Sequence, residues 1–69
     1  MDSNEIKQQI KSIMDTFGMT AVKAAEVMGI AYGQFRLKIR DVPNRNFTED
    51  NLGDLIKYIV TEAEKLKVR

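Results

Sequence analysis

Four cations fall within the ten residues that run from Arg36 through Lys38 and Arg40 to Arg45. A guanidinium is a rigid fork of donors that matches phosphate oxygens or the O6 and N7 edge of guanine, and an ammonium binds phosphate as a point charge. Asp41 is the one acid between Tyr32 and Phe47, so that stretch carries +3 in a chain whose formal net charge is only +1, whereas Thr48 to Glu64 carries −4. Other chemistries are absent. The chain has no cysteine and no histidine, which removes disulfides, zinc fingers, thiolate nucleophiles and imidazole bases. No paired acids, no nucleophile beside a base and no glycine-rich phosphate loop is legible, so the sequence reads as a non-enzyme with no cofactor and no metal. What it offers instead is one basic docking face and an acidic far side that a polyanion would repel.

The elements that position these cations follow from hydrophobic spacing. At 69 residues and 43% hydrophobic content the chain is long enough for one small domain spanning 1–69 and one modest core. No apolar run approaches the ~20 residues needed to cross a bilayer, and the opening "MDSNEIKQQ" is charged and polar, so the expectation is a cytoplasmic protein without membrane contact. Ile6, Ile10, Ile13, Met14 and Phe17 share a stripe about 100° wide, which predicts a first helix over 3–17. Asp2 with Glu5, or Ser3 alone, caps its start, and Gly18 suits the left-handed position past its end. Thr20 caps a second helix over 20–28 in which Ala21, Ala24, Ala25 and Met28 share a side and Gly29 closes the end. Phe35 and Ile39 stand one turn apart in a third helix over 31–41, and the residue before Pro43 is pushed out of the α region, so "DVPNRN" connects. A fourth helix over 48–66 starts at Thr48, with Glu49 and Asp50 at the positive end of its dipole and Phe47 stapled onto Leu52. Its apolar set, Leu52, Leu55, Ile56, Ile59, Val60, Ala63 and Leu66, is wider than that of the first helix. The fold class is therefore all-α, a small bundle of four to five helices.

Two short helices joined by a glycine-containing turn make a helix-turn-helix. Within "TAVKAAEVMGIAYGQFRLKI", Ala25 occupies the helix crossing, Gly29 the turn, Ile30 the position just beyond it, and Phe35 and Ile39 the buried side of the second helix. This stretch resembles the phage repressor and Cro-type (lambda repressor-like) helix-turn-helix family, whose members show a similar T-x-x-x-x-A-x-x-x-G-[VI] run. The continuation "FRLKIRDVPNRNFTEDNL" is similar to phage-type variants in which a lysine-apolar pair and a short basic loop lead into an F-T or F-S helix start. The resemblance covers Met19 to Ile59, with the motif at about 20–40. It implies a sequence-specific double-stranded DNA-binding protein, a transcriptional regulator of phage or mobile-element type. Residues Thr20 to Met28 would brace a recognition helix from Ala31 to Arg40, on which Tyr32, Gly33, Arg36 and Leu37 inherit contact with base edges. Lys38, Arg40, Asn44 and Arg45 would meet phosphates. A homodimer is expected as well, because one short helix reads only a few base pairs. Tyr58, Ile59, Leu66 and Val68 are the expected contact surface.

Blander accounts exist for the same residues. Gly33 costs ~1 kcal/mol inside a helix, and either close backbone approach to a phosphate or another surface favours it, or it marks a frayed first turn. Tyr32 either faces outward or packs its ring on Ile39. Arg36 and Arg40 are either contacts or solvated charges. The rival function is a protein-binding module that uses the same fold to sequester another regulator or an enzyme. The low net charge, Gly33 and an outward Leu37 favour that rival, while the basic run and Arg36 favour DNA.

Overall fold

The computed structural model describes residues 2–40, 42 and 45–67. Among them the chain forms four helices and no strand: α1 (Ser3–Phe17), α2 (Ala21–Met28), α3 (Tyr32–Ile39) and α4 (Glu49–Lys67). Each boundary has a local cause. Asp2 Oδ1 accepts the Glu5 N–H at 2.9 Å, which selects Asp2 over Ser3 as the first cap. Gly18 takes φ 62°, and beyond it the Met19 N–H reaches back to the Met14 carbonyl at 2.8 Å. Thr20 Oγ1 accepts the Lys23 N–H at 3.1 Å. At the other end of α2, Gly29 has φ 70° and the Ile30 N–H bonds the Ala25 carbonyl at 3.1 Å. A side chain at either glycine would be strained in that left-handed conformation. Thr48 and Asn51 cap α4 reciprocally: the Asn51 N–H donates to Thr48 Oγ1 at 3.2 Å and the Thr48 N–H donates to Asn51 Oδ1 at 2.9 Å. An amide thus fills the place that Glu or Gln takes in the usual capping box.

The core is Ile6 and Ile10 from α1, Ala24, Ala25 and Met28 from α2, Phe35 from α3, and Phe47, Leu52 and Leu55 from the start of α4 and the residue leading into it. Two adjacent alanines leave no bulk on the inner side of α2, so α3 and α4 both pack closely on it. Phe35 and Phe47 meet with ring centroids 5.3 Å apart and planes tilted by 58°, a geometry that adds about 0.5–1.5 kcal/mol to simple burial. This ring pair fixes the entry of α4 against α3. Ile13, Met14, Met19, Ile30 and Ile39 pack around the edge.

Three features differ from what spacing alone predicts. α3 is shorter than 31–41, because Arg40 leaves the helix with φ −84° and ψ 164°. Phe17 is exposed although it continues the α1 stripe, because the last turn of α1 extends past the core and borders an open groove with Met19, Tyr58 and Ile59. In α4 the buried side chains stop at Leu55, and Ile56, Val60 and Leu66 are exposed. The helix outruns the body beneath it, and the molecule extends 45 Å along its long axis against 24 and 19 Å across. Val68, expected at a subunit contact, lies outside the described residues, and Tyr58 and Ile59 are half-buried within the chain itself. No helix among the described residues is long and apolar enough to cross a membrane.

Candidate nucleic-acid interface

The cations divide by what their groups already touch. Lys38 Nζ donates to the Asn46 carbonyl at 3.0 Å. Lys7, from the other end of the chain, is buried and donates from Nζ to the Arg40 carbonyl at 2.8 Å. These two lysines therefore hold the segment that leaves α3 at both of its ends, residues 40 and 46. An ammonium has three donors, so Lys38 keeps capacity for a phosphate beyond its bond to Asn46.

Arg36, Arg40 and Arg45 are exposed. Phe35, wholly buried, sets the rotation of α3, and at 100° per residue Tyr32 stands about 60° and Arg36 about 100° round the helix from it on the same side, so the two are neighbours on the flank of the inner face and both are exposed. The Arg36 guanidinium lies 5.9 Å from the centroid of the Tyr32 ring, a cation–π pairing that restricts the arginine without occupying its donors. Tyr32 is 45% exposed. Its ring is a platform for Arg36 rather than a part of the core. The N-terminal residue before α3 is Ala31, which makes no side-chain cap bond, so no side chain competes for the first N–H groups of that helix.

Gly33 is exposed, and a Cβ built on it would meet nothing within 4 Å. Its φ is not positive either, since the positive-φ glycines are Gly18 and Gly29. Nothing among the described residues requires glycine at this position. Leu37 is half-buried, so less of its side chain is presented outward than an outer helical position suggests. Arg45 is exposed and its N–H bonds the Val42 carbonyl at 3.2 Å, which fixes its backbone. Asn44, the remaining expected phosphate contact, lies outside the described residues.

Tyr32, Gly33, Arg36 and Arg40 thus share α3 and its end, and Arg45 follows on the anchored segment. Two shallow grooves flank α4 elsewhere, one lined by Val27, Asp54, Tyr58 and Lys65 and the other by Phe17, Met19, Lys23 and Ile59. Neither is lined by a residue of α3. Lys7 is the residue that spacing misses. It stands one position past Ile6 and borders the inner stripe next to Met14, which was the available signal, but a lysine at the edge of a stripe is ordinarily a solvated stem.

Comparison of the chain with protein-family models, with characterised proteins and with solved structures finds no match. The functional reading rests on the residues themselves.

Proposed function

We propose that the chain is a small sequence-specific double-stranded DNA-binding protein, a transcriptional regulator of the phage repressor and Cro type, in which α2, its glycine turn and α3 act as a helix-turn-helix. The observation that carries this reading is the combination on α3 and its continuation: the exposed side chains of Arg36, Arg40 and Arg45, with Arg36 alongside the Tyr32 ring, beside a Gly33 with open space outside it. In this reading Arg36 contacts a base edge with Tyr32 beside it, and Leu37 adds a partial apolar contact to a thymine methyl. Arg40 and Arg45 neutralise phosphates, and Lys38 does so with the donors that Asn46 leaves. The resemblance of Met19 to Ile59 to the phage-type family supports the same assignment.

The test is a mobility-shift assay against the DNA that flanks the chain's own gene, repeated over a salt series. Retardation of a discrete fragment that weakens steeply with salt is the expected result, because neutralised phosphates release counterions. Binding indifferent to salt, or no retardation of any fragment, would set the reading aside. The second reading is a protein-binding module that occupies another regulator or an enzyme. It is favoured by the net charge of +1 and by the apolar surface on α4. Capture of a protein through Leu37, abolished by Leu37→Asp and unaffected by Arg36→Ala, would establish it in place of DNA.

A further inference from the structure

The segment that leaves α3 is clasped by two ammonium groups, and one of them comes from outside the helix-turn-helix. Lys7 Nζ donates to the Arg40 carbonyl at 2.8 Å across 33 residues of sequence, and Lys38 Nζ donates to the Asn46 carbonyl at 3.0 Å. Lys7 stands on α1, ahead of the stretch from Met19 to Ile59 that resembles the phage-type family. The motif alone therefore gives it no part in function.

Among the described residues Lys7 is the one buried polar or charged side chain, 6% exposed. An ammonium is costly to bury unless its donors are met, and an apolar residue would fill the edge of the α1 stripe without that cost. What the lysine adds is reach and a directed bond to one main-chain oxygen.

That oxygen belongs to an exposed arginine. Arg40 follows the last residue of α3 with φ −84° and ψ 164°, so no further helical turn holds its carbonyl, and its side chain is open to solvent. Beyond it the Arg45 N–H meets the Val42 carbonyl at 3.2 Å, and the Phe47 ring is packed on Phe35. The backbone that carries Arg40 and Arg45 is thus tied at residues 40, 42, 46 and 47. A backbone already fixed leaves only side-chain rotamers to be ordered when a ligand arrives, whereas a loose one adds its own disorder to the cost of binding.

We propose that Lys7 is a positioning residue for the phosphate contacts: through the Arg40 carbonyl it holds the exit of α3 in the place from which Arg40 and Arg45 meet the DNA backbone. The inference rests on the reading of this face as DNA-binding. It brings α1 into a surface that otherwise belongs to α3 and its exit. Lys7 itself makes no contact with DNA, because its side chain is buried against the chain.

The test measures DNA affinity over a salt series for the unmodified chain and its variants, each at a temperature where circular dichroism shows it folded. Lys7→Met keeps the stem and removes the donor. Its dissociation constant should rise about three- to tenfold on a preferred and a scrambled DNA alike, the cost of ordering one or two loosened side chains. The salt slope should stay unchanged, because the same phosphates are still neutralised. Arg45→Ala, which removes a contact, should instead lower the slope by about one unit. Ile6→Val truncates the core one residue away in α1, controls for lost stability, and should bind as the unmodified chain does. Introduced into Arg40→Ala, Lys7→Met should cost less than it does alone, since both changes then act through one group. Lys7→Gln, one atom too short to reach, takes the place of a methionine variant that does not fold. Unaltered affinity of a folded Lys7 variant, an equal loss for Ile6→Val, full additivity with Arg40→Ala, or a slope lowered as for a direct contact each overturns the proposal and leaves the DNA reading standing. An unmodified chain that binds no DNA overturns both.

Discussion

A guanidinium that reads a base and one that neutralises a phosphate fail differently when removed. Arg36→Ala should lose about 1–3 kcal/mol on the preferred sequence and relax the preference at one base pair, whereas Arg45→Ala should weaken all sequences alike and lower the salt slope by about one unit. Titrations on a preferred site and a scrambled one, each at several salt concentrations, separate the two. Equal losses for both variants on both DNAs would show that Arg36 reads nothing. Gly33→Ala divides stability from function. With open space at its Cβ and no positive φ, alanine should raise the melting temperature by the equivalent of several tenths of a kcal/mol. On the proposed DNA-binding reading it should nonetheless impair binding, because the added methyl would occupy the open space through which a phosphate backbone would approach. A variant that is both more stable and fully active would leave the glycine without a role in binding.

At the scale of elements, the short α3 is held by one ring inward and by two lysines at its exit. Phe35→Ala should cost roughly 3–5 kcal/mol, because a wholly buried ring leaves a cavity that a core of this size does not refill. An unchanged thermal midpoint would place Phe35 outside the cooperative core. Lys7→Met keeps the stem but removes the donor to the Arg40 carbonyl, a charged hydrogen bond worth about 1.5–3 kcal/mol. Denaturant unfolding reads that loss, and an unchanged midpoint would mean the tie is without weight. The helix ends were legible in the sequence because caps are local: Asp2, Thr20 and Thr48 begin helices, and Gly18 and Gly29 end them, as their residue types imply. Phe35 and the alanine pair were legible as core for the same reason, a fixed period along one element. Tertiary facts were less so. Periodicity says which side of a helix is apolar but not how far the neighbouring element reaches or how much of a wide stripe it covers, so Phe17, past the core, and Ile56 and Val60, on the side of α4 away from α2, looked like core and are not. Similarly, Lys7 and Arg40 are 33 residues apart, and no local pattern announces that one donates to the other. The exposure of Arg36 agrees with its spacing, whereas spacing left Tyr32 open between an outward place and packing on Ile39 and did not show the half-burial of Leu37.

For the molecule as a whole, charge and apolar surface are segregated. The basic stretch lies on α3 and its exit, the acids crowd α4, and the exposed Phe17, Ile56, Val60 and Leu66 belong to the end of α1 and to the middle and end of α4. The overhang of α4 has a consequence in time. Helical hydrogen bonds open as readily as the packing around them allows, and among the described residues no side chain from 56 to 66 is fully buried. Amide protons near Leu52 and Leu55 should exchange with solvent only through global unfolding, and those over 61–66 orders of magnitude sooner through local opening of the thinly packed part of α4. Exchange followed by NMR in dilute solution would display this as a gradient along a single helix, and uniform rates along α4 would contradict it.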